Sequence, residues 1–371
     1  MTKLRGTPTR RLCIVMAAAA ALALAACSSG GSAGSAGSTG STGSTTTARG
    51  TRTVNVGFTI HPKGSKLSIA FVNSGEANAY GAEMKAVAVA WAAKNHVSLT
   101  DMDSNFSPDT ELDLIQNAIS SGKYNAISTL PLDPHLLCTI LTKTAPDDGI
   151  MVSSLNSPVC DADTEAGDID AGWTPGLLNV SYPGAAKQAL ISLAQKCAQL
   201  APGPQQVTMI TGPAYLSDTA DAMTAFKAIP NFTINQQLIS QNIDTADGLS
   251  LTQTALLSHP KTSLIYTLYG SVSAGVVTAL QDAGKTAGKV KVCGVAGGTT
   301  ADITDLREGW ITAEAVNDPK KFVIASLQSI LNAWNGIASP RVVDLGAAGQ
   351  VVPYTQPEIL TQATASQIAP Y

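Results

Sequence analysis

Ten short runs of β-branched and aliphatic residues recur along this chain, and most are followed by a longer stretch with helical periodicity. They are "LSIAFVN" (67–73), "SLTDMDS" (98–104), "YNAISTLP" (124–131), "IMVSSLN" (150–156), "LLNVSY" (177–182), "QVTMITG" (206–212), "TINQQLIS" (233–240), "SLIYTLY" (263–269), "VKVCGVAG" (290–297) and "ITAEAVN" (311–317). Between them lie amphipathic segments such as Tyr80 to Lys94, where Met84, Val87, Ala88 and Trp91 fall on one face. Strand, helix, strand in repetition predicts an α/β fold with parallel sheets. An aromatic content of only 5 % calls for an aliphatic core, which such sheets provide.

The alternation breaks once, at the acidic segment "NSPVCDADTEAGDIDAGWTPG", and restarts with "YPGAAKQALISLAQKCAQLAPG", punctuated by Pro183, Pro202 and Gly203. Two doubly wound lobes are therefore expected. Facing α/β lobes take ligands between the carboxyl ends of their strands. The loop after the first run, within "AFVNSGEANAYGAEM", lies at such an end, with Tyr80 as its large side chain.

The ends carry a different message. Lys3, Arg5, Arg10 and Arg11 precede the apolar run "CIVMAAAAALALAA", which is too short to span a bilayer, and "LAAC" places Cys27 after small residues. This pattern reads as a lipoprotein signal over residues 1–26, with the Cys27 sulfur as acyl acceptor. Residues 27–52 then form a Gly/Ser/Thr tether, whose coil over 28–47 spans about 25 Å. Removing the four basic residues of the signal takes the formal charge from -4 to -8. Such an acidic body argues against nucleic acid as a partner. Outside the cytoplasm the four remaining cysteines, Cys138, Cys160, Cys197 and Cys293, are free to form disulfides. Cys138 and Cys160 lie at the carboxyl edge of neighbouring βα units, where a bridge is reasonable. Cys197 and Cys293 suit either a helix-to-sheet bridge or two buried thiols. The four histidines are scattered without ligand spacing, and neither a metal nor another cofactor is expected.

From about Leu67 to Leu345 the chain resembles the type I periplasmic solute-binding proteins of ABC importers, in their ribose-binding branch. The resemblance is carried by "IAFVNSGEANAYGAEMKA", "GIMVSSLNSP", "GLSLTQTALLSHP", "SLIYTLYGSVSAGVVTALQDAGK" and "VKVCGVAGGTTADITDLREGWITAEAVNDPKK". It implies two lobes joined by a three-strand hinge, with crossings near 179–183, 316–319 and 341–345. The N-terminal lobe would hold 53–180 plus 318–341, and the C-terminal lobe 181–317 plus 342–371. It also implies a monomer that delivers a small sugar-like ring to an ABC permease from a lipid-anchored position at the membrane. A receptor for a membrane sensor protein is the alternative use of the same fold.

Carried over by position, the resemblance places Ser74, Asn78 and Tyr80 at the first ligand loop. Asn156 and Ser157 fall where the family has an Asp-Arg pair, and Ala220 or its neighbour Asp221 at another arginine. Tyr269 stands at an asparagine, Ala296 at an aspartate, Asn317 at a glutamine, and Gly81 replaces a second aromatic. Most charged clamps for hydroxyls are thus missing, so a ligand with fewer hydroxyls is expected, or one that uses another contact such as Trp173. Tyr80 and Tyr269 fit equally well as core contacts, and Asn78 and Asn156 as caps or turn residues. Catalysis is not expected. "YGSVSAG" has Ser271 where a nucleophile elbow needs glycine, and "VAGGTT" lacks the glycines and lysine of a phosphate loop.

Overall fold

The computed structural model describes residues 53–371, except 56–57, 161, 163–172, 183–185, 345–358 and 369. The expected signal, Cys27 and the tether lie outside the described residues. The body divides into two six-stranded sheets. A small ladder precedes them: β1 (Val54–Asn55) pairs antiparallel with β2 (Thr59–Ile60).

The first sheet contains β3 (Ser68–Asn73), β4 (Ser98–Asp103), β5 (Ala126–Thr129), β6 (Met151–Leu155), β7 (Asn179–Tyr182) and, late in the chain, β13 (Val342–Asp344). Its order is β13-β7-β6-β5-β3-β4, all parallel. The second contains β8 (Gln205–Thr211), β9 (Phe232–Ile239), β10 (Leu264–Leu268), β11 (Lys291–Gly297), β12 (Ala313–Val316) and β14 (Ile359–Leu360). Its order is β14-β12-β11-β10-β8-β9, with only β14 antiparallel. Strands β5, β6 and β10 are buried at every position, as parallel strands covered on both faces must be. All ten sequence runs contain a strand of these sheets.

Strand order reverses beside β3 in one lobe and beside β8 in the other, so the loops after these two strands open at the switch points. The helix Ala79–Asn95 starts at the first of them, with Asn78 as its cap, and buries Met84, Ala88 and Trp91. The helix Pro319–Trp334 follows β12 of the second sheet but buries Phe322, Val323, Leu327 and Ile330 in the core of the first lobe. The chain therefore crosses between lobes at Asn317 and Asp318.

The lobe limits differ from expectation at two points. Tyr182 still belongs to the first sheet, opposite Asp344, and Val342–Asp344 pairs with β7 there rather than joining the second lobe. Each strand completes its ladder before the chain leaves the sheet, which a sequence boundary does not reveal. The expected crossings at 183 and 345 lie outside the described residues.

Cys138 and Cys160 are bonded, with Cα atoms 4.7 Å apart, and Cys197 is bonded to Cys293, fastening the helix Ala186–Leu200 to β11. Among the described residues no helix is long and apolar enough to cross a membrane, and no group of three or more His, Cys, Asp or Glu could hold a metal ion.

Candidate functional site

The two switch-point loops meet in a slot lined by Ser74, Asn78, Tyr80, Phe106, Leu130, Leu132 and Asn156 from the first lobe and Leu216, Ile243 and Tyr269 from the second. Its free space is ≈ 30 Å³, room for one or two waters, so a ring enters only with the lobes further apart. Five of the positions singled out by sequence line it: Ser74, Asn78, Tyr80, Asn156 and Tyr269. Asn317 stands just behind, donating through Nδ2 to Asn156 Oδ1 at 3.0 Å. Its own Oδ1 is buried without a partner. Ser157 and Asp221 are not part of the lining, and the side chain of Ala296 lies outside the described residues. Ser157 accepts a bond from the Ser154 hydroxyl at its carbonyl. Asp221 lies within the helix Ser217–Lys227, where burial raises its carboxyl and Lys187 lowers it. Ala296 lies in β11.

The backbone marks this slot independently. Seven non-glycine residues among those described have positive φ, and four of them line it: Phe106 (55°), Asn156 (60°), Ile243 (53°) and Tyr269 (70°). For bulky or β-branched residues that conformation is strained, and strain of this kind persists where the surroundings impose it, above all at ligand sites.

The residues read as caps or core serve two purposes at once. Asn78 Oδ1 accepts from Gly81 N at 2.9 Å and so caps its helix, while Nδ2 donates to Ile243 O at 3.4 Å across the lobes. Tyr80 is 9 % exposed and packs in the core of the first lobe, yet its ring forms one wall. Tyr269 follows β10 and packs against the core of the second lobe. Burial, then the charges of Asp218 and Tyr215, push its hydroxyl far up. Asp218, half-buried, is itself pushed up to about 6 by loss of water and by Asp221. Trp173 touches no part of the slot: its Nε1 donates to Leu177 O at 3.0 Å, and Arg341 lies 4.3 Å over its ring.

Gly81 brings no ring to the slot, but Phe106 does. A Cβ on Gly81 would lie 1.6 Å from Gly75 O, so glycine is needed for the loop to pass. A Cβ on Gly75 would in turn lie 2.3 Å from the Phe106 ring. The two glycines thus make room for a ring brought from the loop after β4, where Phe106 N donates to Ser74 O at 2.7 Å. Phe106, Leu130, Leu132, Leu216 and Ile243 were missed by sequence. The available signal was "DSNFSPD", an aromatic set among turn residues at the carboxyl end of a strand.

The pattern of the periplasmic binding protein domain matches residues 69–338. The chain belongs to that family. Solved relatives share the fold. A periplasmic solute-binding protein of an ABC transporter from Actinobacillus succinogenes 130z, with bound D-allose, is 22 % identical with a TM-score of 0.66, covering 81 % of this chain and 100 % of its own. One from Agrobacterium vitis, bound with α-D-tagatopyranose, is 17 % identical with a TM-score of 0.67 over 82 % and 100 %. One from Mycobacterium smegmatis, with bound glycerol, is 21 % identical with a TM-score of 0.66 over 83 % and 98 %. Among curated proteins no relative matches the chain. The family is one of binding proteins, and its members work outside the cytoplasm. In this periplasmic binding protein the switch-point slot occupies the place between the lobes where such folds take their ligands.

Proposed function

We propose that this protein is a lipid-anchored receptor that closes around a small ring compound and delivers it to an ABC import permease, without carrying out a reaction. The observation that carries the reading is the slot itself. Strained residues from both lobes converge on it, at the switch points of two parallel sheets joined by crossing strands. A ligand that touches both walls binds the closed form better than the open one, and this difference is what drives closure. In the relatives named above the bound compounds are a hexose in its D-allose form, a tagatopyranose and glycerol. They support a small polyol or ring as the class here. Ser74, Asn78, Tyr80, Asn156, Tyr269 and Asn317 would contact it. Cys27 would hold the acyl anchor.

The test is a thermal-shift screen of the purified protein against monosaccharides, polyols, nucleosides, amino acids and small cyclic compounds. A ligand at a thousand times its Kd adds about 4 kcal/mol, which raises the midpoint of a body of this size by roughly 8 °C. Uptake of the hit should then fall in cells lacking the gene. A screen without any shift, or a hit whose uptake is unchanged, sinks the importer reading. For the anchor, Cys27→Ser should release the protein from the membrane fraction; retention there would exclude Cys27 as the attachment point.

A further inference from the structure

We infer that the solute is a neutral ring poor in hydroxyl groups, rather than a fully hydroxylated sugar or a sugar acid. This rests on the receptor reading above and narrows its ligand. The walls are largely hydrocarbon: Phe106, Leu130, Leu132, Leu216 and Ile243 face the slot, and among the described residues none that lines it is charged.

The polar groups that do face it are few and partly committed to the protein. Asn78 uses its oxygen on Gly81 N, whereas its nitrogen, on Ile243 O across the lobes at 3.4 Å, is released when the lobes part. Asn156 Oδ1 already accepts from Asn317. The hydroxyls of Ser74 and Tyr269 and the amide nitrogens of Asn78 and Asn156 remain for a ligand, with the buried, unpartnered Oδ1 of Asn317 just behind them. A pyranose with a hydroxyl on nearly every ring carbon brings more donors and acceptors than these can satisfy. Each hydroxyl stripped of water and left unpaired weakens binding by about tenfold. A ring with bare carbon edges loses nothing of the kind and gains contact with Phe106, Tyr80 and Tyr269.

Charge points the same way. The charge that acts on the lining residue Tyr269 is an acid, Asp218. With no cation among the described lining residues, a carboxylate on the ligand finds no partner there.

The experiment is isothermal calorimetry on the unmodified protein with matched pairs: galactose and fucose, ribose and 2-deoxyribose, glucose and glucuronate, with cyclohexanediol and benzyl alcohol as rings carrying still fewer hydroxyls. In the first two pairs the deoxy member should bind about tenfold more tightly, and glucuronate should give no heat. Tighter binding of galactose and ribose than of their deoxy partners, or measurable binding of glucuronate, overturns the inference and leaves the receptor reading standing. Failure of every compound, together with a blank thermal-shift screen, removes both.

Discussion

The Thr129 hydroxyl carries one proton, yet it lies 2.7 Å from Glu111 Oε1 and 3.0 Å from Val72 O. It can donate to only one of them. A neutral Glu111 resolves the conflict: its Oε1–H donates to Thr129, Thr129 donates to Val72 O, and Oε2 accepts from Leu132 N at 2.9 Å. Glu111 is 0 % exposed, and burial pushes its carboxyl up to about 8 against the pull of the Leu132 N–H. The folded value therefore lies above the unfolded one of about 4.3. Below that pH both states are protonated and the contribution to stability is whole. As pH rises toward about 8, folding must take up a proton, at a loss of about 1.4 kcal/mol per pH unit. Glu111→Gln keeps both hydrogen bonds, with the amide NH₂ on Thr129 and the amide oxygen on Leu132 N. Its denaturation midpoint should gain on the parent protein steadily between about pH 5 and pH 8. Parallel pH profiles would refute a neutral Glu111. Gly75 gives a second residue-scale prediction. Gly75→Ala puts a methyl group where the Phe106 ring now sits, so it should weaken solute binding as Phe106→Ala does, and cost about 1 to 3 kcal/mol of stability by overpacking. Full binding in Gly75→Ala would mean that Phe106 is not a wall of the site.

The Cys138–Cys160 bond ties the segment after β5 to the loop after β6 that carries Asn156, across a separation of 22 residues. Closing a loop of this size stabilises by about 3 kcal/mol in the chain-entropy model. The double variant Cys138→Ser, Cys160→Ser should melt roughly 6 °C lower or more by calorimetry. An unchanged midpoint, or four titratable thiols in the unfolded but unreduced protein, would show that the bond does not form. The elements differ in how far sequence exposes them. Strands such as β5, β6 and β10 are legible because burial on both faces writes them as continuous apolar runs. The ladder β1–β2 and strands β13 and β14 are two or three residues long, too short to impose a period, and their pairing is a tertiary fact. The same holds within the slot. Asn78, Asn156 and Tyr269 stand out as polar or aromatic residues at strand ends, whereas Leu132, Leu216 and Ile243 look like core. Positive φ at Ile243 and Phe106 is set by the surrounding fold and leaves no mark in the residue type.

At the scale of the whole molecule, closure without a ligand rests on few contacts. Asn78 donates to Ile243 O at 3.4 Å, and Phe106 packs on the core of the opposite lobe. Tyr371 adds a third tie: its backbone pairs with Gly298 and Thr300 of the second lobe, while its ring packs against the core of the first. A single hydrogen bond of this kind contributes about 1 kcal/mol net, so the closed form is held by only a few kcal/mol, a gap that a ligand or one substitution can reverse. Phe106→Ala removes the largest of these side chains from the slot while leaving the hinge at Asn317 intact, where Asn317 N bonds Gly297 O at 3.4 Å. The unliganded variant should therefore scatter X-rays as a more open body, with a larger radius of gyration than the parent. Because the ligand must then also draw the lobes together, apparent affinity should fall in proportion to the fraction of molecules that remain closed. Saturation with ligand should bring the variant and the parent to the same curve. If the variant and parent scatter identically without ligand, Phe106 does not hold the lobes together and closure must depend on Asn78, Tyr371 and the hinge strands instead.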